Sequence, residues 1–484
     1  MDRKNLLIIM ADEHNARMLG AAGHPLVQTP NLDRLASRGT RFSNAYTNCP
    51  ICVPARASFA TGHYVHQHHY WDNSIAYDGR LTGWGHRLQA AGIRVESIGK
   101  LHYRNAADPT GFDRQHIPMH IADGVGMVHM SIRGQFPDFV PPQGLPRPKA
   151  PFEEAGPGES EYTLYDRRVA DVACEWLAGS AAWEEPWVLF VSFVAPHFPL
   201  IAPEEFFSLY PVQSMPPAKF GMNSGFVPHP WVARFARRIP TPEQQQIALA
   251  AYLGLCTFMD AQVGRVLQAL EDASLADSTR IIYTSDHGEN AGSRGLWGKS
   301  VHYQEAAAIP LILAGDGVPE GKVSGTPVSL VDGYPAVLDA LALDTGMDEC
   351  RPGESWFEFA SREDLERPVL SEYHAAGSLS ASYMLRRGNY KYIHYVDHEP
   401  ELFDLAEDPE EQNPVGDLLP RVRQAMEAEL RSMLDLEQTD AMAKQDQKEL
   451  VNRLGGPDAV MANLVTTKGY TPVPAELQDA GQAS

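Results

Sequence analysis

The chain alternates short, continuously apolar runs with longer segments whose apolar residues recur at helical spacing. The runs at 6–11, 187–194, 280–284 and 309–314 predict buried strands, because a strand covered on both faces is apolar at successive positions. Helices are predicted at 29–39, 243–272 and 330–343, the first bounded by Thr29 and Gly39. This alternation predicts an α/β fold in which helices sandwich a large, mostly parallel sheet.

The pattern changes near residue 376. Residues 383–396 alternate and are rich in Tyr and Ile, which predicts one or two antiparallel strands, and 401–409 predicts a strand and a turn. We therefore predict a catalytic domain over 1–375 and a smaller α+β subdomain over 376–484, with a helix at 440–454. The last residues are either disordered or an arm over a neighbouring subunit, where Tyr470, Val473 and Leu477 offer apolar side chains to bury.

Composition indicates a soluble enzyme, with 44% hydrophobic and 21% charged residues. The excess of 62 acidic over 40 basic residues gives a net charge of -22, which disfavours nucleic acid and anionic membranes as partners. The six-residue apolar run at the N-terminus is shorter than a signal peptide requires, so we expect a cytoplasmic protein. Five scattered cysteines do not form a disulfide framework.

Three predicted strands are followed directly by side chains that can bind metals or move protons. Asp12, His197 and the pair Asp286–His287 all lie just beyond strand ends. In sheets of this class ligands bind beyond the carboxyl ends of the strands. We therefore expect these four side chains to converge in space.

The most specific motif is Cys52-Val-Pro-Ala-Arg56. Cys52 could be a structural cysteine near a turn, or a redox pair with Cys49, although no thioredoxin-like context surrounds it. The spacing Cys-x-Pro-x-Arg resembles the site at which type I sulfatases of the alkaline phosphatase superfamily have their cysteine oxidised to formylglycine (3-oxoalanine). That resemblance implies an alkaline phosphatase-like fold and the hydrolysis of sulfate monoesters.

Other segments resemble the same family in the same order along the chain, and the pairing Asp286–His287 resembles its choline sulfatase and phosphonate monoester hydrolase branch. The matching segments are 5–13, 29–42, Gly99-Lys100-Leu101-His102, Pro196-His197-Phe198-Pro199, 285–288 with Lys299, 390–393 and 402–409.

The resemblance implies one divalent metal per chain. Its ligand candidates are Asp12, Glu13, Cys52 as formylglycine, Asp286 and His287. Many sulfatases have Asp and Asn where this chain has Glu13 and His287, so ligation by Glu13 stays open. Oxygen ligands suit Ca2+, whereas a histidine favours Mn2+ or another borderline ion, and Mg2+ also remains a candidate.

The resemblance also implies catalytic roles. The hydrated aldehyde at Cys52 would be the nucleophile, and Arg56 would neutralise charge beside it. Lys100 and Lys299 would hold sulfate oxygens. His197 would protonate the leaving alcohol and His102 would be the base that later releases sulfate, since imidazole titrates near neutral pH. Asn73 is a further substrate-binding candidate.

Two other groups near Asn73 are open to interpretation. His66, His68 and His69 lack a second ligand set, so we interpret them as structural or as residues that support the active-site side chains from behind. Tyr70 and Trp71 are candidates for lining the leaving-group pocket, where aromatic faces suit an aryl group or a quaternary ammonium.

Three alternatives define the limits of this interpretation. Phosphonate monoester or phosphodiester hydrolases of the same scaffold typically have Tyr and Thr where this chain has Lys100 and His102, which favours sulfate. A non-catalytic binding protein would not need every catalytic position. Alkaline phosphatase chemistry would require Ser or Thr at position 52. The expected partners are a small-molecule sulfate ester, a formylglycine-generating maturation enzyme and further copies of the chain in a homo-oligomer, either a dimer or a tetramer.

Overall fold

The protein is described by a computed structural model that covers residues 4–133, 149–220, 227–236, 238–344, 351–462 and 471–478. An eight-stranded sheet forms its centre. In chain order the strands are β1 Asn5–Asp12, β2 Gly39–Phe42, β3 Arg94–Lys100, β4 Arg114–Met119, β5 Trp187–Pro196, β6 Thr279–Ser285, β7 Leu311–Ala314 and β8 Lys322–Ser324. Across the sheet they lie in the order β8-β2-β7-β6-β1-β5-β3-β4.

The sheet is mostly parallel, which confirms the predicted fold class. β1 lies at its centre and pairs in parallel with β5 and β6, and β3 pairs in parallel with β4 and β5. β7 is the exception, because it is antiparallel to both β6 and β2. The parallel strands therefore end together at one edge of the sheet.

Helices cover both faces of this sheet. Along β1, Leu6, Ile8 and Met10 pack into one hydrophobic cluster, while the alternating Leu7, Ile9 and Ala11 pack into another. The helices of eight or more residues are α1 Pro30–Ser37, α2 Cys52–Thr61, α3 Glu161–Ser180, α4 Pro242–Asp272, α5 Gly333–Ala340, α6 Pro420–Met433 and α7 Leu436–Arg453. Shorter α-helices lie at Val65–His68, Trp84–Ala90, Val128–Ser131, Glu204–Phe207, Pro230–Ala233, Gln304–Ala307, Trp356–Ser361, Pro457–Ala462 and Ala475–Gln478.

Helix α4 is a core helix. By length and composition it is apolar enough to cross a membrane, but 89% of its most apolar window is buried inside the protein. Its side chains pack against α3 and β5, so its apolar character is explained by the core of the fold.

A second, four-stranded antiparallel sheet forms the smaller unit. Its strands are β9 Val369–Tyr373, β10 Ser382–Arg387, β11 Tyr390–Tyr395 and β12 Glu401–Asp404, and they pair in sequence order. The antiparallel pairs that we predicted are present, although β9 begins before the boundary placed at residue 376. The predicted helix over 440–454 is the C-terminal part of α7.

Of the C-terminal tail, residues 471–478 are described, and Tyr470 lies outside the described residues. Val473 is buried in the cluster that covers one face of the large sheet, and Leu477 packs against that cluster. This part of the tail packs on its own chain.

Gly99 shows why the segment before Lys100 needs a glycine. Its φ is +100°, and a Cβ at this position would overlap the backbone carbonyl oxygen of Ser192 on the neighbouring strand β5. The absence of a side chain therefore lets β3 approach β5 closely at the strand end that presents Lys100.

Candidate active site

Asp12, Asp286 and His287 converge as predicted at the carboxyl edge of the large sheet, where Cys52 joins them, while His197 belongs to a second group with Asp12 and Glu13. Asp12 ends β1, Asp286 and His287 follow β6, and Cys52 is the first residue of helix α2. One ligand atom from each of these four residues lies within 4.8 Å of the others, and all four side chains are buried. Residues from three distant parts of the sequence therefore form one cluster.

Arg56 holds this cluster together from one turn further along α2. Its Nε donates to Asp286 Oδ2 at 2.7 Å, and its Nη2 donates to Asp12 Oδ2 at 3.2 Å. Its Nη1 donates to the Lys100 carbonyl oxygen at 2.7 Å and to Ser192 Oγ at 3.0 Å. Burial alone would lower the pKa of Arg56, but the two carboxylates raise it, so the guanidinium is charged.

The other carboxylate oxygens face a common point. His287 Nε2 lies 3.7 Å from Asp12 Oδ1, 3.7 Å from Asp286 Oδ1 and 3.1 Å from Cys52 Sγ. The His287 Nδ1 lies 3.0 Å from the Gly288 carbonyl oxygen, so Nδ1–H donates to it and the Nε2 lone pair is available as a ligand.

This donor set fits a divalent cation. Ligand atoms that each lie about 2 to 2.6 Å from one ion are separated by roughly 3 to 4 Å, which matches the spacings above. Two carboxylates supply negative charge, and burial is outweighed at Asp12, where Lys100, His197 and Arg56 hold the pKa well below its usual value. The mixed oxygen and imidazole set suits a borderline ion as well as a hard one.

Lys100 and Lys299 bring two cations to the same cluster. Lys100 Nζ lies 2.5 Å from Asp12 Oδ2, and Lys299 Nζ lies 3.5 Å from Cys52 Sγ and 2.8 Å from Glu13 Oε2. Burial would lower the pKa of Lys299, but Cys52, Glu13 and Asp12 raise it. Burial and Asp12 in turn raise the pKa of the Cys52 thiol to about 12.

Glu13 faces Lys299 rather than the cluster of Asp12, Cys52, Asp286 and His287. Its Oε2 lies 3.3 Å from His197 Nε2 in addition to its bond with Lys299, and its φ of 68° is in the left-handed region. Burial and the nearby Glu289 carboxyl raise the pKa of Glu13 well above its usual value, against the opposing effect of Lys299. Glu13 forms a second group of possible ligands with Asp12 and His197.

His197 lies directly beyond β5, as predicted. Its Nδ1 lies 2.5 Å from the Phe198 carbonyl oxygen, the Phe198 ring stacks on its imidazole, and Tyr162 packs edge-on against it. Burial and Lys299 lower the pKa of His197 well below its usual value, so the imidazole is neutral in the substrate-free chain. The near-neutral pKa expected from the sequence is therefore shifted by the protein.

His102 lies near the end of β3 with a φ of 58°. Its Nε2 is 2.8 Å from Thr471 Oγ1, while its Nδ1 is buried and has no hydrogen-bond partner among the described residues. Burial and the neighbouring Lys100 lower its pKa well below the usual value. The imidazole is thus neutral, which is the form that accepts a proton.

Asn73 lies beside the start of α2, because its Oδ1 accepts a hydrogen bond of 3.1 Å from the N–H of Val53, the residue after Cys52. The neighbouring aromatic residues Tyr70 and Trp71 pack among core side chains. Tyr70 and Trp71 are 1% and 0% exposed, and they pack in two different hydrophobic clusters. Active-site side chains such as Asp12 are equally buried, so a place for either ring beside the leaving group stays a prediction.

The neighbouring histidines have structural partners. His66 Nδ1 lies 2.8 Å from Glu372 Oε1, His68 Nε2 lies 3.1 Å from Ser58 Oγ, and the His69 ring stacks on Trp71. These contacts agree with the structural interpretation of the three residues.

Sequence reasoning missed several residues that position the site. Ser192 receives a hydrogen bond from Arg56, and Asp166 on α3 accepts hydrogen bonds from the Val194 and Ala195 N–H groups, just before His197. Burial raises the pKa of Asp166 to about 7 despite those two hydrogen bonds. A carboxyl on the apolar side of the helix pattern of α3 is the signal that could have identified Asp166.

Comparison with known proteins agrees with this geometry. The Sulfatase family profile matches residues 4–343. The chain is 30% identical over 484 residues to a choline-sulfatase of Rhizobium meliloti (strain 1021), covering 92% of this chain and 90% of that protein. It is 28% identical over 479 residues to human arylsulfatase K, covering 92% and 85%.

The fold of this chain is similar to that of a solved structure. The phosphonate monoester hydrolase of Agrobacterium radiobacter superimposes with a TM-score of 0.71 at 23% identity, over 89% of this chain and 95% of that chain. The large sheet with its small antiparallel partner is therefore the alkaline phosphatase-like architecture expected from the sequence. The chain belongs to the sulfatase family, and it is a sulfuric ester hydrolase.

Replacing Arg56 by Ala should lower the free energy of unfolding by about 3 kcal/mol or more, because it leaves buried carboxylates without their partner. Urea unfolding measures the change. Arg38→Ala is the matched control, since Arg38 pairs with Glu271 at 2.6 Å on the surface, where a pair is worth about 1 kcal/mol or less. Equal losses in the two variants would contradict the role of Arg56.

Proposed function

We propose that the chain hydrolyses a small sulfate monoester with residue 52 as a formylglycine nucleophile beside one divalent metal. The observation that supports this most directly is the cluster of Asp12, Cys52, Asp286 and His287, with Lys100 and Lys299 next to it. A nucleophile, metal ligands and two buried cations in one place suit the transfer of an anionic sulfuryl group.

The modified residue supplies the nucleophile. As formylglycine, residue 52 would supply a hydrated aldehyde, of which one hydroxyl would serve as the nucleophile toward sulfur and the other would allow sulfate to leave. The N-terminus of α2 directs its partial positive charge toward this position, which favours an anion there.

Asp12, Asp286, His287 and residue 52 would hold the metal, which would supply Lewis acidity toward a sulfate oxygen. Arg56 keeps the Oδ1 atoms of both carboxylates turned toward that position by binding their Oδ2 atoms. Mn2+, Ca2+ and Mg2+ are the candidate ions. We assign Glu13 to Lys299 and His197 instead, because its bound oxygen faces those two side chains.

Lys100 and Lys299 would bind the sulfate oxygens. Each ammonium group is anchored by a different carboxylate, Lys100 by Asp12 and Lys299 by Glu13. Such anchoring holds the charges in place before the substrate arrives, so little reorganisation is needed as charge shifts in the transition state. Asn73 would orient the substrate at the start of α2.

Two histidines would move the protons. His197 Nε2 lies beside Lys299 and Glu13, and in its protonated form, which a bound sulfate anion would favour over the neutral imidazole of the free chain, it would donate to the leaving alcohol oxygen. His102 would take the proton that residue 52 must lose when sulfate departs. These are separate steps, and the two imidazoles have different hydrogen-bond partners.

The substrate that we propose is a small sulfate ester, for which choline sulfate and aryl sulfates are the first compounds to test. Support comes from the name of the choline-sulfatase relative and from Phe198, whose ring lies 5.3 Å from Lys299 Nζ at the site. The activity also requires a maturation enzyme that converts Cys52, and we propose cytoplasmic expression and a homo-oligomer as the setting.

Cys52 should be about 18 Da lighter after co-expression with a maturation enzyme, the change expected from thiol to aldehyde. Fragment-ion mass spectrometry of the tryptic peptide 42–56 measures it, and Cys49 in the same peptide is the internal control. A fully active preparation with an unmodified thiol at residue 52 would falsify the mechanism.

Asp286→Asn and His287→Ala should weaken metal binding by at least roughly 100-fold and abolish turnover, because the first removes the charge of a ligand and the second removes a ligand. Elemental analysis of the purified variants measures the bound metal. Asp260→Asn is the control, since this buried carboxylate accepts hydrogen bonds from Asn31 and Leu32 away from the site, and it should retain the metal. Normal metal content in both ligand variants would refute the assignment.

With one aryl leaving group, the formylglycine enzyme should have a higher kcat/KM for the sulfate monoester than for a phosphodiester. Two anchored lysines suit a group with three free oxygens, whereas a diester replaces one of these by a second alcohol. Steady-state kinetics on the matched pair measures the ratio. Faster diester hydrolysis would favour the phosphodiesterase alternative instead.

A further inference from the structure

The C-terminal segment contacts a residue of the active site. Thr471 Oγ1 lies 2.8 Å from His102 Nε2, and the Thr471 carbonyl oxygen accepts a hydrogen bond from the Tyr162 hydroxyl. Two residues later Val473 is 3% exposed and packs in the hydrophobic cluster beneath. Thr471 is thus held by its own side chain and carbonyl oxygen, and Val473 after it also packs on the catalytic unit.

His102 is fixed by its backbone as well as by Thr471. Its N–H and that of Leu101 both donate to the Met119 carbonyl oxygen, at 2.9 Å and 3.1 Å. Its left-handed φ of 58° is a conformation that non-glycine residues adopt mainly where surrounding contacts enforce it. These contacts hold the His102 ring in place, and the proton of the neutral imidazole can lie on either Nδ1 or Nε2.

We propose that Thr471 is a positioning residue that fixes the Nε2–H tautomer of His102. When Nε2–H donates to the Thr471 hydroxyl oxygen, the lone pair lies on Nδ1, the buried nitrogen without a partner among the described residues. A base whose far nitrogen is held by a third group is the arrangement that activates many enzymatic nucleophiles.

The consequence for catalysis rests on the function proposed above for His102. Nδ1 accepts the proton of the free hydroxyl on residue 52, the electron pair of that O–H bond forms the aldehyde C=O bond, and the C–O bond to sulfate breaks with its pair on sulfate. The C-terminal segment would thereby control sulfate release without contacting the substrate.

The tautomer can be measured without turnover. Long-range 1H–15N spectra of the 15N-histidine-labelled full chain should show His102 as the Nε2–H form, with its signals identified by their loss in His102→Gln. Thr471→Val, which keeps the shape but removes the acceptor, should lose this single tautomer, and Thr471→Ser should restore it. An Nδ1–H form in the unsubstituted chain, or an unchanged tautomer in Thr471→Val, would overturn the proposal.

Kinetics of the same variants distinguishes the positioning role of Thr471 from the base role of His102. Thr471→Val should lower kcat by about tenfold or more with little change in KM, and Thr471→Ser should recover it, since a general base contributes about a hundredfold or more. Thermal unfolding checks that all three variants are folded. If His102→Gln is fully active, the base assignment in the proposed function fails. If His102→Gln is inactive while Thr471→Val has full kcat, only the role of Thr471 fails.

Discussion

The buried guanidinium of Arg56 is the interaction on which the site depends. It binds the ends of β1 and β6 through Asp12 and Asp286, and the ends of β3 and β5 through the Lys100 carbonyl oxygen and Ser192. A charge with almost no solvent contact is tolerated because each of its donor nitrogens has a partner. Four strands and the helix that begins at Cys52 are thereby joined at one point.

This arrangement also decides which oxygens remain for chemistry. Because Arg56 takes Oδ2 of each carboxylate, the Oδ1 atoms face His287 and Cys52. Lys100 shares Asp12, while Lys299 has its own acid in Glu13. The protein has a net charge of -22, so the positive charge needed for an anionic substrate is concentrated within this cluster and held there by specific carboxylates.

The sequence predicted the parts of this structure that follow from local pattern. Apolar runs identified β1, β5 and β6, and the rule that ligands bind beyond parallel strand ends brought together Asp12, His197 and Asp286. Local pattern contains no strand direction, so the antiparallel β7 was not anticipated. It also could not distinguish an aromatic ring that lines a pocket from one that packs in the core, as Trp71 does.

The two halves of the site differ in how they are built, and this explains what sequence reasoning missed. The charge cluster rests on strand ends and the first turn of α2, whose positions the sheet imposes. The two histidines to which we assign proton transfer depend on contacts between distant segments: His197 lies between Tyr162 and Phe198, and His102 contacts Thr471 from the opposite end of the chain. Such contacts have no periodicity or spacing in the sequence. The half of the site to which we assign proton transfer is therefore the half that can change through loops and the C-terminal segment while the sheet and its charges stay the same.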